Sequence, residues 1–312
     1  MNRSRCRFAV TGGAGFIGSR LVAQLLLAGH ECLVLDNLSV GLPAPEPRDH
    51  LTFVQRDICD VGAFAGDIAN FAPDCVIHLA AIHHIPSCEK NAPEAFRVNI
   101  VGTQSVIEAV ERAAVKRFIL ASSGAVYDWV DGPLSEDSSP LRSTDVYSLS
   151  KYTNEQQLAL ALDHGKFAAA IVARIFNTIG SNDPNGHVIP DIARQLKSGA
   201  KETVIALGNT TMRRDYVHVD DTAAGLFAMA VRPLEDGKHV FNIGTGVEHS
   251  VKDLVEEIAS IQNTRCIIQF DPARVRKVDR LSLLANPSRA KAALGWQPKV
   301  PFAEAVRRAI QS

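Results

Sequence analysis

Short apolar runs rich in Val, Ile and Phe alternate with longer segments of helical periodicity through the first half of the chain. Runs of this kind, bounded by turn residues, are typical of buried strands. Strands and helices in alternation predict a doubly wound α/β fold, in which helices cover both faces of a parallel sheet. The predicted strands are Phe8–Thr11, Glu31–Leu35, Thr52–Gln55, Val76–Leu79, Arg117–Ala121 and Ala168–Arg174, and the predicted helices are Gly15–Ala28, Ala92–Ala114 and Val146–His164.

The second half of the chain follows a less regular pattern, which predicts a smaller α/β lobe beside the sheet. One helix in it, Asp220–Val231, begins with an aspartate, which is a common N-cap residue. We expect a nucleotide-binding domain at 1–175, to which 215–247 returns, and a substrate lobe at 176–214 and 248–312, with a ligand cleft between them. The other predicted elements are helices Ile189–Ser198, Val251–Ile261, Ser288–Leu294 and Phe302–Ile310, and strands Glu202–Ala206, Val240–Ile243 and Cys266–Phe270.

The composition is that of an ordinary globular protein, with 312 residues, 46% of them apolar and 21% charged. A formal net charge of −1 predicts no basic surface for nucleic acid or an anionic membrane. No segment has the apolar core of a signal peptide or approaches the roughly 18 apolar residues of a membrane-spanning helix. We therefore expect no nucleic-acid partner, no membrane partner and a cytoplasmic location. The six cysteines form no C-x-x-C pair, so reduced thiols are expected.

Glycines recur at every third position directly after the first predicted strand, at Gly12, Gly15 and Gly18. Glycine permits a tight turn and lets the backbone approach a pyrophosphate closely. The helix that follows supplies N–H donors and a partial positive charge at its N-terminus. A strand before the glycines and a helix after them is the context that a dinucleotide-binding motif requires. The sequence therefore predicts a Rossmann-type fold.

Asp36 ends the second predicted strand, at roughly the 20-residue distance where such folds carry an acid for the adenosine ribose. Its carboxylate can accept hydrogen bonds from ribose hydroxyls and repels a 2′-phosphate. NAD is therefore favoured over NADP as the cofactor. Asp57 and Ile58 are a second candidate for contact with the adenine, although Asp57 also suits the cap of a predicted helical region at Asp60–Asn70.

Tyr147 and Lys151 lie four residues apart in a predicted helix, so their side chains share one face. A cation held near a tyrosine favours the phenolate, which allows the tyrosine to act as a base near neutral pH. Such a pair alone usually lies on the solvent-exposed face of a helix and has no catalytic role. Together with the glycine-rich turn and with Ser122 and Ser123 at the end of a strand, it predicts an enzyme.

With these residues in place, the chain resembles the extended short-chain dehydrogenase/reductase family, and within it the NAD-dependent nucleotide-sugar epimerases such as UDP-glucose/UDP-galactose 4-epimerase. The resemblance runs essentially from end to end. Each motif alone is modest, but their order and spacing form a specific signature. The motifs are TGGAGFIG at Thr11–Gly18, LDNLSVG at Leu35–Gly41, HLAA at His78–Ala81, SSGAVY at Ser122–Tyr127, YSLSK at Tyr147–Lys151, RIFNTIG at Arg174–Gly180, RRDYVHVDD at Arg213–Asp221 and ALGWQP at Ala293–Pro298.

The resemblance implies a role for each matching residue. Tyr147 would be the general acid/base on the sugar hydroxyl, Lys151 would lower its pKa and hold the nicotinamide ribose, and Ser123 would bind the reacting oxygen. The implied cofactor-binding residues are Gly12, Gly15, Phe16, Ile17, Gly18, Asp36, Asn37, Asp57, Ile58, Leu79, Ala80, Ala81, Asn99, Ser122, Tyr147 and Lys151. The implied substrate-binding residues are His83, Ser123, Asn177, His187, Val188, Arg214, Arg276 and Asp279.

Two positions bear on the substrate lobe. The segment Arg276–Asp279 matches an R-x-G-D pattern of the family, but Val278 replaces its glycine, and valine resists a positive φ. Leu283 matches a position that walls the sugar pocket, and its size does not decide whether an N-acetyl group fits.

The implied reaction begins with hydride transfer from a sugar C–H to NAD while Tyr147 takes the hydroxyl proton, which gives a keto intermediate. An epimerase then turns this intermediate over, here at C4, and returns the hydride to the opposite face. Dehydratases of the family carry an Asp-Glu pair directly after the active-site residue. Gly124 and Ala125 occupy those positions here and cannot move protons, which argues against a 4,6-dehydratase.

Other functions stay open on the sequence. An NDP-4-keto-sugar reductase needs the same Ser, Tyr and Lys, and Asp36 argues against it only because many reductases use NADPH. A UDP-glucuronate decarboxylase would need a donor for the substrate carboxylate, and the sequence places none. A non-enzymatic NAD-sensing regulator on the same fold would be expected to lack Tyr147 and Lys151, which are present.

Two further expectations concern metals and assembly. His83, His84 and Cys88 lie close in sequence, but no further ligand is spaced for a tetrahedral site, so no metal is expected. The resemblance implies a homodimer through a four-helix bundle, built from the predicted helices Ala92–Ala114 and Val146–His164.

Overall fold

Seven parallel strands form the main sheet of the computed structural model, which describes residues 5–40, 42–184, 188–196, 200–275 and 280–311. The order across the sheet is β3-β2-β1-β4-β5-β6-β10, with every pairing parallel. The strands are β1 (Arg7–Thr11), β2 (Glu31–Asp36), β3 (Leu51–Gln55), β4 (Cys75–His78), β5 (Arg117–Ser123), β6 (Ala169–Ile175), β7 (Asn177–Ile179), β8 (Glu202–Leu207), β9 (Arg213–His218), β10 (Gly237–Ile243), β11 (Glu248–Ser250), β12 (Arg265–Phe270) and β13 (Ser282–Leu283).

The predicted doubly wound α/β sheet is confirmed. The chain winds outward from β1 in one direction and then restarts at β4 on its other side. In open sheets of this kind, ligands bind in the crevice at the carboxyl ends of the two strands where the order reverses. That crevice lies here between the ends of β1 and β4.

Helices cover both faces of this sheet, because residues along each strand alternate between two apolar cores. On β1, Phe8 and Val10 pack with α1 and α8, whereas Ala9 faces the core of α2, α5 and α6. The helices are α1 (Phe16–Leu27), α2 (Val61–Phe71), α3 (Ile85–Lys90), α4 (Ala92–Phe96), α5 (Gly102–Arg112), α6 (Val146–Asp163), α7 (Val188–Gln195), α8 (Val219–Val231), α9 (Val251–Ile261), α10 (Ser288–Leu294) and α11 (Phe302–Ile310).

Smaller sheets lie outside the main one. In the first, β9 is flanked by the antiparallel β11 and by the parallel β13, and β7 also pairs with β9. In the second, β8 and β12 pair in parallel. Their apolar side chains form a separate core with α7, α9 and α11. The chain returns to the main sheet through α8 and β10.

Several elements differ from the sequence prediction. The predicted helix Ala92–Ala114 is α4 and α5 joined by a turn of π-helix at Arg97–Val101. The strands β7, β9, β11 and β13 and the short helix α3 were not predicted. The prediction that Asp220 caps α8 is wrong: His218 is the N-cap, and its Nδ1 accepts the N–H of Asp220 at 3.2 Å.

Within the part of the chain that the structure describes, no helix combines the length and apolarity needed to cross a lipid bilayer.

Candidate active site

The glycine-rich turn between β1 and α1 has no room for side chains at two positions. At Gly12, φ is +70°, and a Cβ atom would lie 2.7 Å from the backbone nitrogen of Ala80. At Gly18, a Cβ atom would overlap the carbonyl oxygen of Gly12 and lie 2.7 Å from the Cα of Gly13. The turn therefore packs directly against the end of β4 and leaves the N-terminus of α1, capped by Gly15, facing the crevice.

Asp36 supports this turn from the end of β2. Its Oδ2 accepts the N–H of Ala14 at 3.0 Å, and its Oδ1 accepts the N–H of Leu38 at 2.8 Å. Burial raises the pKa of the carboxyl group, and the two backbone donors oppose that rise. Each oxygen keeps a second lone pair, so the fixed carboxylate can still accept a hydrogen bond from a ligand hydroxyl.

The side chains of Asn37 and Asp57 meet beside Asp36. Asn37 Nδ2 donates to Asp57 Oδ2 at 3.4 Å, and the N–H of Cys59 donates to Asp57 Oδ1 at 2.8 Å. The Cys59 hydrogen bond is the main reason that the pKa of Asp57 is lowered. The side chain that caps α2 is that of Asp60. Asp57 thus extends the polar edge begun by Asp36, which fits its predicted place along the adenosine.

Tyr147 and Lys151 lie on one face of α6, as their spacing predicts. The helix begins at a capping box in which Asp145 and Ser148 exchange hydrogen bonds, and this box fixes the first turn that carries Tyr147. The Ser123 hydroxyl, at the end of β5, lies close enough to Tyr147 to lower its pKa. Lys151 Nζ lies 5.9 Å from the ring centroid of Tyr147 and donates to the carbonyl oxygen of Ala121 at 2.9 Å. The structure therefore brings the three predicted catalytic residues together.

The pKa values at this cluster differ from the prediction. Burial lowers the pKa of Lys151 to about 8. Burial also raises the pKa of Tyr147 above its ordinary value, and the interaction with the Ser123 hydroxyl offsets only part of this rise. The implied lowering of the Tyr147 pKa by Lys151 is thus not present here, because desolvation of the phenol dominates. A further positive charge near the phenol would lower this pKa.

Behind this cluster lies a buried ion pair that the sequence reasoning missed. Arg174 donates to both carboxylate oxygens of Glu155, at 3.0 and 2.7 Å, and Ser122 Oγ donates to Glu155 Oε1 at 2.6 Å. The guanidinium of Arg174 also lies 4.7 Å from the ring centroid of Tyr127. Because its hydroxyl hydrogen is used on Glu155, Ser122 is oriented into the protein, which favours a supporting role over contact with a cofactor. The sequence did hold one signal, since Glu155 follows Lys151 by one helical turn.

Asn99 sits at the π turn before α5 and is fully buried. Its Oδ1 accepts the N–H of Ile82 at 2.8 Å, and its Nδ2 donates to the carbonyl oxygen of Ile82 at 2.9 Å and to Ser150 Oγ at 3.0 Å. The amide thus clamps the backbone just after the Leu79–Ala81 segment that is predicted to line the cofactor. This geometry gives Asn99 a positioning role rather than a free group for a ligand.

Two of the predicted substrate residues, Asn177 and Arg214, lie on paired strands of the smaller sheet built around β9. In the strand register, Asn177 of β7 pairs with Tyr216 of β9, and Leu283 of β13 pairs with Arg214 of β9. Ser123 is in register with Ile175 at the end of β6, which leads directly into β7. The strand ends therefore connect the catalytic cluster to this sheet.

The remaining predicted substrate residues are less well defined. His83 is exposed in the loop after β4, and Val188 begins α7 and is half-buried. His187, Arg276 and Asp279 lie outside the described residues, as does Val278, which replaces the glycine of the family pattern.

Arg280 is a second residue that the sequence reasoning missed. It is only 8% exposed, and it donates to the carbonyl oxygens of Tyr127 at 3.1 Å, Asp128 at 2.8 Å and Ser282 at 2.6 Å. Burial, and then the charge of Arg214, lower the pKa of this guanidinium to about 10. Arg280 therefore ties the segment that follows the Gly124–Val126 turn to β13, although nothing in its sequence context predicts this.

Among the described residues, no three His, Cys, Asp or Glu side chains come together in a group that could hold a metal ion.

Comparison with known proteins agrees with this geometry. The model of the NAD-dependent epimerase/dehydratase family matches residues 8–244. The UDP-glucose 4-epimerase of Mycolicibacterium smegmatis is 35% identical over 314 aligned residues, which cover 98% of this chain and 97% of the relative. The UDP-glucose 4-epimerase of Thermus thermophilus in complex with NAD has a TM-score of 0.85 at 30% identity, covering 98% of both chains. That of Thermotoga maritima with UDP-glucose has a TM-score of 0.86 at 27% identity, covering 98% of this chain and 97% of the other.

Proposed function

The chain belongs to the NAD-dependent epimerase/dehydratase family, and we propose that it is a 4-epimerase of UDP-hexoses that interconverts UDP-glucose and UDP-galactose. The observation that carries this proposal is the cluster of Ser123, Tyr147 and Lys151 at the carboxyl ends of the sheet strands. UDP-glucose is the sugar nucleotide of the curated relatives that span almost the whole chain.

The residues around the crevice fit NAD. A Cβ atom at Gly12 or Gly18 would clash with backbone atoms around the turn, and Asp36 presents a fixed carboxylate at the end of β2, where folds of this kind hold the adenosine ribose. Bound there, NAD would supply reversible hydride transfer with the sugar carbon. The Asp36 carboxylate would repel the 2′-phosphate of NADP, which supports NAD over NADP.

The protein's own groups handle the proton. As a phenolate, which the positive charge of a bound nicotinamide would favour, Tyr147 would take the proton of the C4 hydroxyl and later return it. Ser123, whose hydroxyl interacts with Tyr147, would hold the reacting oxygen. Lys151 contributes a cation whose pKa of about 8 leaves it charged at neutral pH. The Glu155–Arg174 pair keeps the strand end under Ser123 in place without adding net charge to the site.

Elimination chemistry is not supported at the same site. A 4,6-dehydratase needs an acid and a base next to the reacting sugar, but Gly124 and Ala125 follow Ser123 directly. The two form the short 3₁₀ turn after β5, and a Cβ atom at Gly124 would lie 3.1 Å from the Phe176 ring. No larger side chain fits there without displacing Phe176. Because no side chain there can assist the loss of water, the keto sugar would react by hydride addition to either face.

We also propose that the UDP moiety lies along β9, with Arg214 binding the diphosphate and Asn177 and Val188 lining the nucleotide. His187, Arg276 and Asp279 complete this site in the proposal, and His83 approaches it from the loop after β4. Support comes from the register, in which Asn177 pairs with Tyr216 of β9 and Leu283 pairs with Arg214 on the same strand.

A homodimer through α5 and α6 is part of the proposal. Three exposed apolar side chains support it: Val101 at 55%, Leu149 at 44% and Leu160 at 57% exposure. All three belong to the helical segments predicted to form the four-helix contact. Light scattering of the purified protein measures its molar mass, and a monomeric mass would contradict the dimer.

Turnover without added cofactor tests the proposed function. Purified protein is incubated with UDP-, dTDP-, GDP- and CDP-hexoses, and the products are analysed by NMR. We expect catalytic formation of the 4-epimer from a UDP-hexose, because the hydride is returned within the same cycle. If no epimer forms and a 4-keto sugar is instead reduced with stoichiometric NAD(P)H, the protein is a ketoreductase.

Asp36→Ala is expected to weaken NAD binding by about 10- to 100-fold, because a hydrogen bond to a charged group contributes about 1.5–3 kcal/mol. NADP binding should weaken less, since the carboxylate that repels the 2′-phosphate is removed. Titration of the cofactor-free protein with each dinucleotide measures both dissociation constants. An unchanged NAD-to-NADP preference would mean that another group holds the ribose. Asp49→Ala is the matched control, because Asp49 is an exposed acid before β3 that has no part in the proposed site.

A further inference from the structure

His78, the last residue of β4, is buried among groups that the proposed mechanism does not use. It is 1% exposed, and each ring nitrogen meets one threonine hydroxyl. Nδ1 lies 2.6 Å from Thr11 Oγ1 at the end of β1, and Nε2 lies 2.9 Å from Thr103 Oγ1 on α5. His78 thus bridges the two strand ends that border the cofactor crevice and the helix behind them.

The donor and acceptor in each hydrogen bond of this Thr11–His78–Thr103 series can be assigned from the hydrogens that each group carries. Thr103 Oγ1 donates its one hydrogen to the carbonyl oxygen of Asn99 at 2.6 Å, so towards His78 it can only accept. His78 Nε2 therefore carries a proton. Burial, and then the charge of Lys151, lower the pKa of His78 to about 3, so the ring is neutral and Nδ1 is bare. Thr11 must then donate to Nδ1.

Both ends of the Thr11–His78–Thr103 series reach groups that position the predicted site. At one end, Thr11 Oγ1 accepts the N–H of Ala80 at 3.5 Å, where the turn at Gly12 packs against β4. At the other end lies Asn99, whose carbonyl oxygen also accepts Asn154 Nδ2 at 2.7 Å from α6. The Asn99 amide donates to Ser150 Oγ, and Ser150 donates to the carbonyl oxygen of Tyr147 at 2.8 Å. One continuous set of buried hydrogen bonds therefore runs from the glycine-rich turn to the catalytic helix.

We propose that His78 is a positioning residue: as a neutral ring protonated on Nε2, it holds the glycine-rich turn and the π turn at Asn99 in register with the helix that carries Tyr147 and Lys151. The inference rests on the proposed function for its kinetic consequence. It gives His78, the first residue of the HLAA motif, a structural role in addition to the predicted contacts of Leu79–Ala81 with the cofactor. Since the ring's hydrogen bonds go to Thr11 and Thr103 and not to Ser123, Tyr147 or Lys151, it acts through the two threonines.

Matched variants at Thr103 and His78 test the kinetic part. Thr103→Val removes the hydroxyl at constant shape, Thr103→Ser keeps it, and His78→Phe keeps the edge contact with Phe118. We expect Thr103→Val and His78→Phe each to lower kcat by about 10- to 100-fold with KM for the nucleotide sugar nearly unchanged, because small misplacements of reacting groups are costly. Thr103→Ser should recover most of kcat. The kcat of the double variant should lie within about twofold of the kcat of the less active single variant, because both substitutions remove the same hydrogen bond. Equal losses in Thr103→Val and Thr103→Ser, or losses that multiply in the double variant, would overturn the proposal.

A second measurement does not depend on turnover. In ¹⁵N-histidine-labelled protein, the His78 signals are assigned as those absent from His78→Phe. We expect the Nε2–H tautomer, unchanged over roughly pH 5 to 9. An Nδ1–H tautomer or a ring that titrates in this range overturns the proposal even if the enzyme is fully active. A parent protein that turns over no sugar nucleotide, yet shows the Nε2–H tautomer and loses NAD affinity in Thr103→Val but not in Thr103→Ser, refutes the proposed function alone.

Discussion

Tyr147→Phe is expected to lower kcat by about three orders of magnitude while NAD remains bound. A positioned acid/base contributes roughly 10²- to 10⁴-fold to a proton-transfer reaction, and phenylalanine cannot take or return the proton. Lys151 does not substitute for it, because its ammonium donates to the carbonyl oxygen of Ala121 and lies 5.9 Å from the Tyr147 ring centroid. The ring itself is kept, so α6 and its capping box should form as before. Turnover of the UDP-hexose and the NAD content of the purified variant are measured together.

Tyr152→Phe provides the matched control. Tyr152 lies on the same helix, half-buried, and has no part in the proposed site. This variant should keep the parent kcat within about twofold, since surface or partly exposed changes away from a site usually cost little. Near-parent turnover in Tyr147→Phe would contradict the mechanism, whereas equal losses in both variants would point to damage to α6 rather than to lost acid/base chemistry.

The main sheet was predictable from the sequence because most of its strands are buried on both faces. A strand such as β6 is apolar apart from Arg174, and β1 runs directly into glycines. The short strands that pair with β9 carry no such signal. Asn177–Ile179 and Glu248–Ser250 have three residues each, too few for any periodicity, and they become strands only because β9 lies beside them.

The catalytic cluster was predictable for a different reason, namely that a helix fixes the relation between residues one turn apart. Tyr147 and Lys151 share a face on any regular helix, and Ser123 is found by its place at a strand end. Glu155 and Arg280 were missed because the role of a buried charge depends on partners far away in sequence. Glu155 pairs with Arg174 on β6, and Arg280 is satisfied by three backbone carbonyls.

The error at the start of α8 has the same origin. Aspartate is a preferred N-cap, and two aspartates follow each other at Asp220 and Asp221. Tertiary packing gives Asp221 a different role, because its Oδ2 accepts the N–H groups of Lys299 at 3.0 Å and Val300 at 2.9 Å. His218 then caps the helix from the end of β9. The same contact explains ALGWQP, whose Trp296 donates to the carbonyl oxygen of Asp221 at 3.0 Å.

Gly18→Ala is expected to weaken NAD binding by roughly 100-fold and to lower turnover with it. The added Cβ would overlap the carbonyl oxygen of Gly12, which also accepts the N–H of Gly15 at 3.1 Å and so closes the turn. Backbone atoms cannot rotate away as a side chain can, so α1 must shift from the turn and its N-terminus moves away from the pyrophosphate. Overpacking of this kind costs about 3 kcal/mol, or roughly 100-fold in affinity. The NAD content after purification and the dissociation constant of added NAD measure the loss.

Gly66→Ala is the control that isolates this effect. Gly66 lies inside α2, and a Cβ atom there would have no heavy atom within 4 Å. Because alanine favours a helix over glycine by about 1 kcal/mol, this variant should unfold at a slightly higher temperature and bind NAD like the parent. The two substitutions add the same methyl group to a helical glycine, so they differ only in what the methyl group meets. If Gly18→Ala also retained NAD and turnover, the close approach of α1 to the turn would not be what holds the cofactor, and Asp36 would have to supply most of the binding.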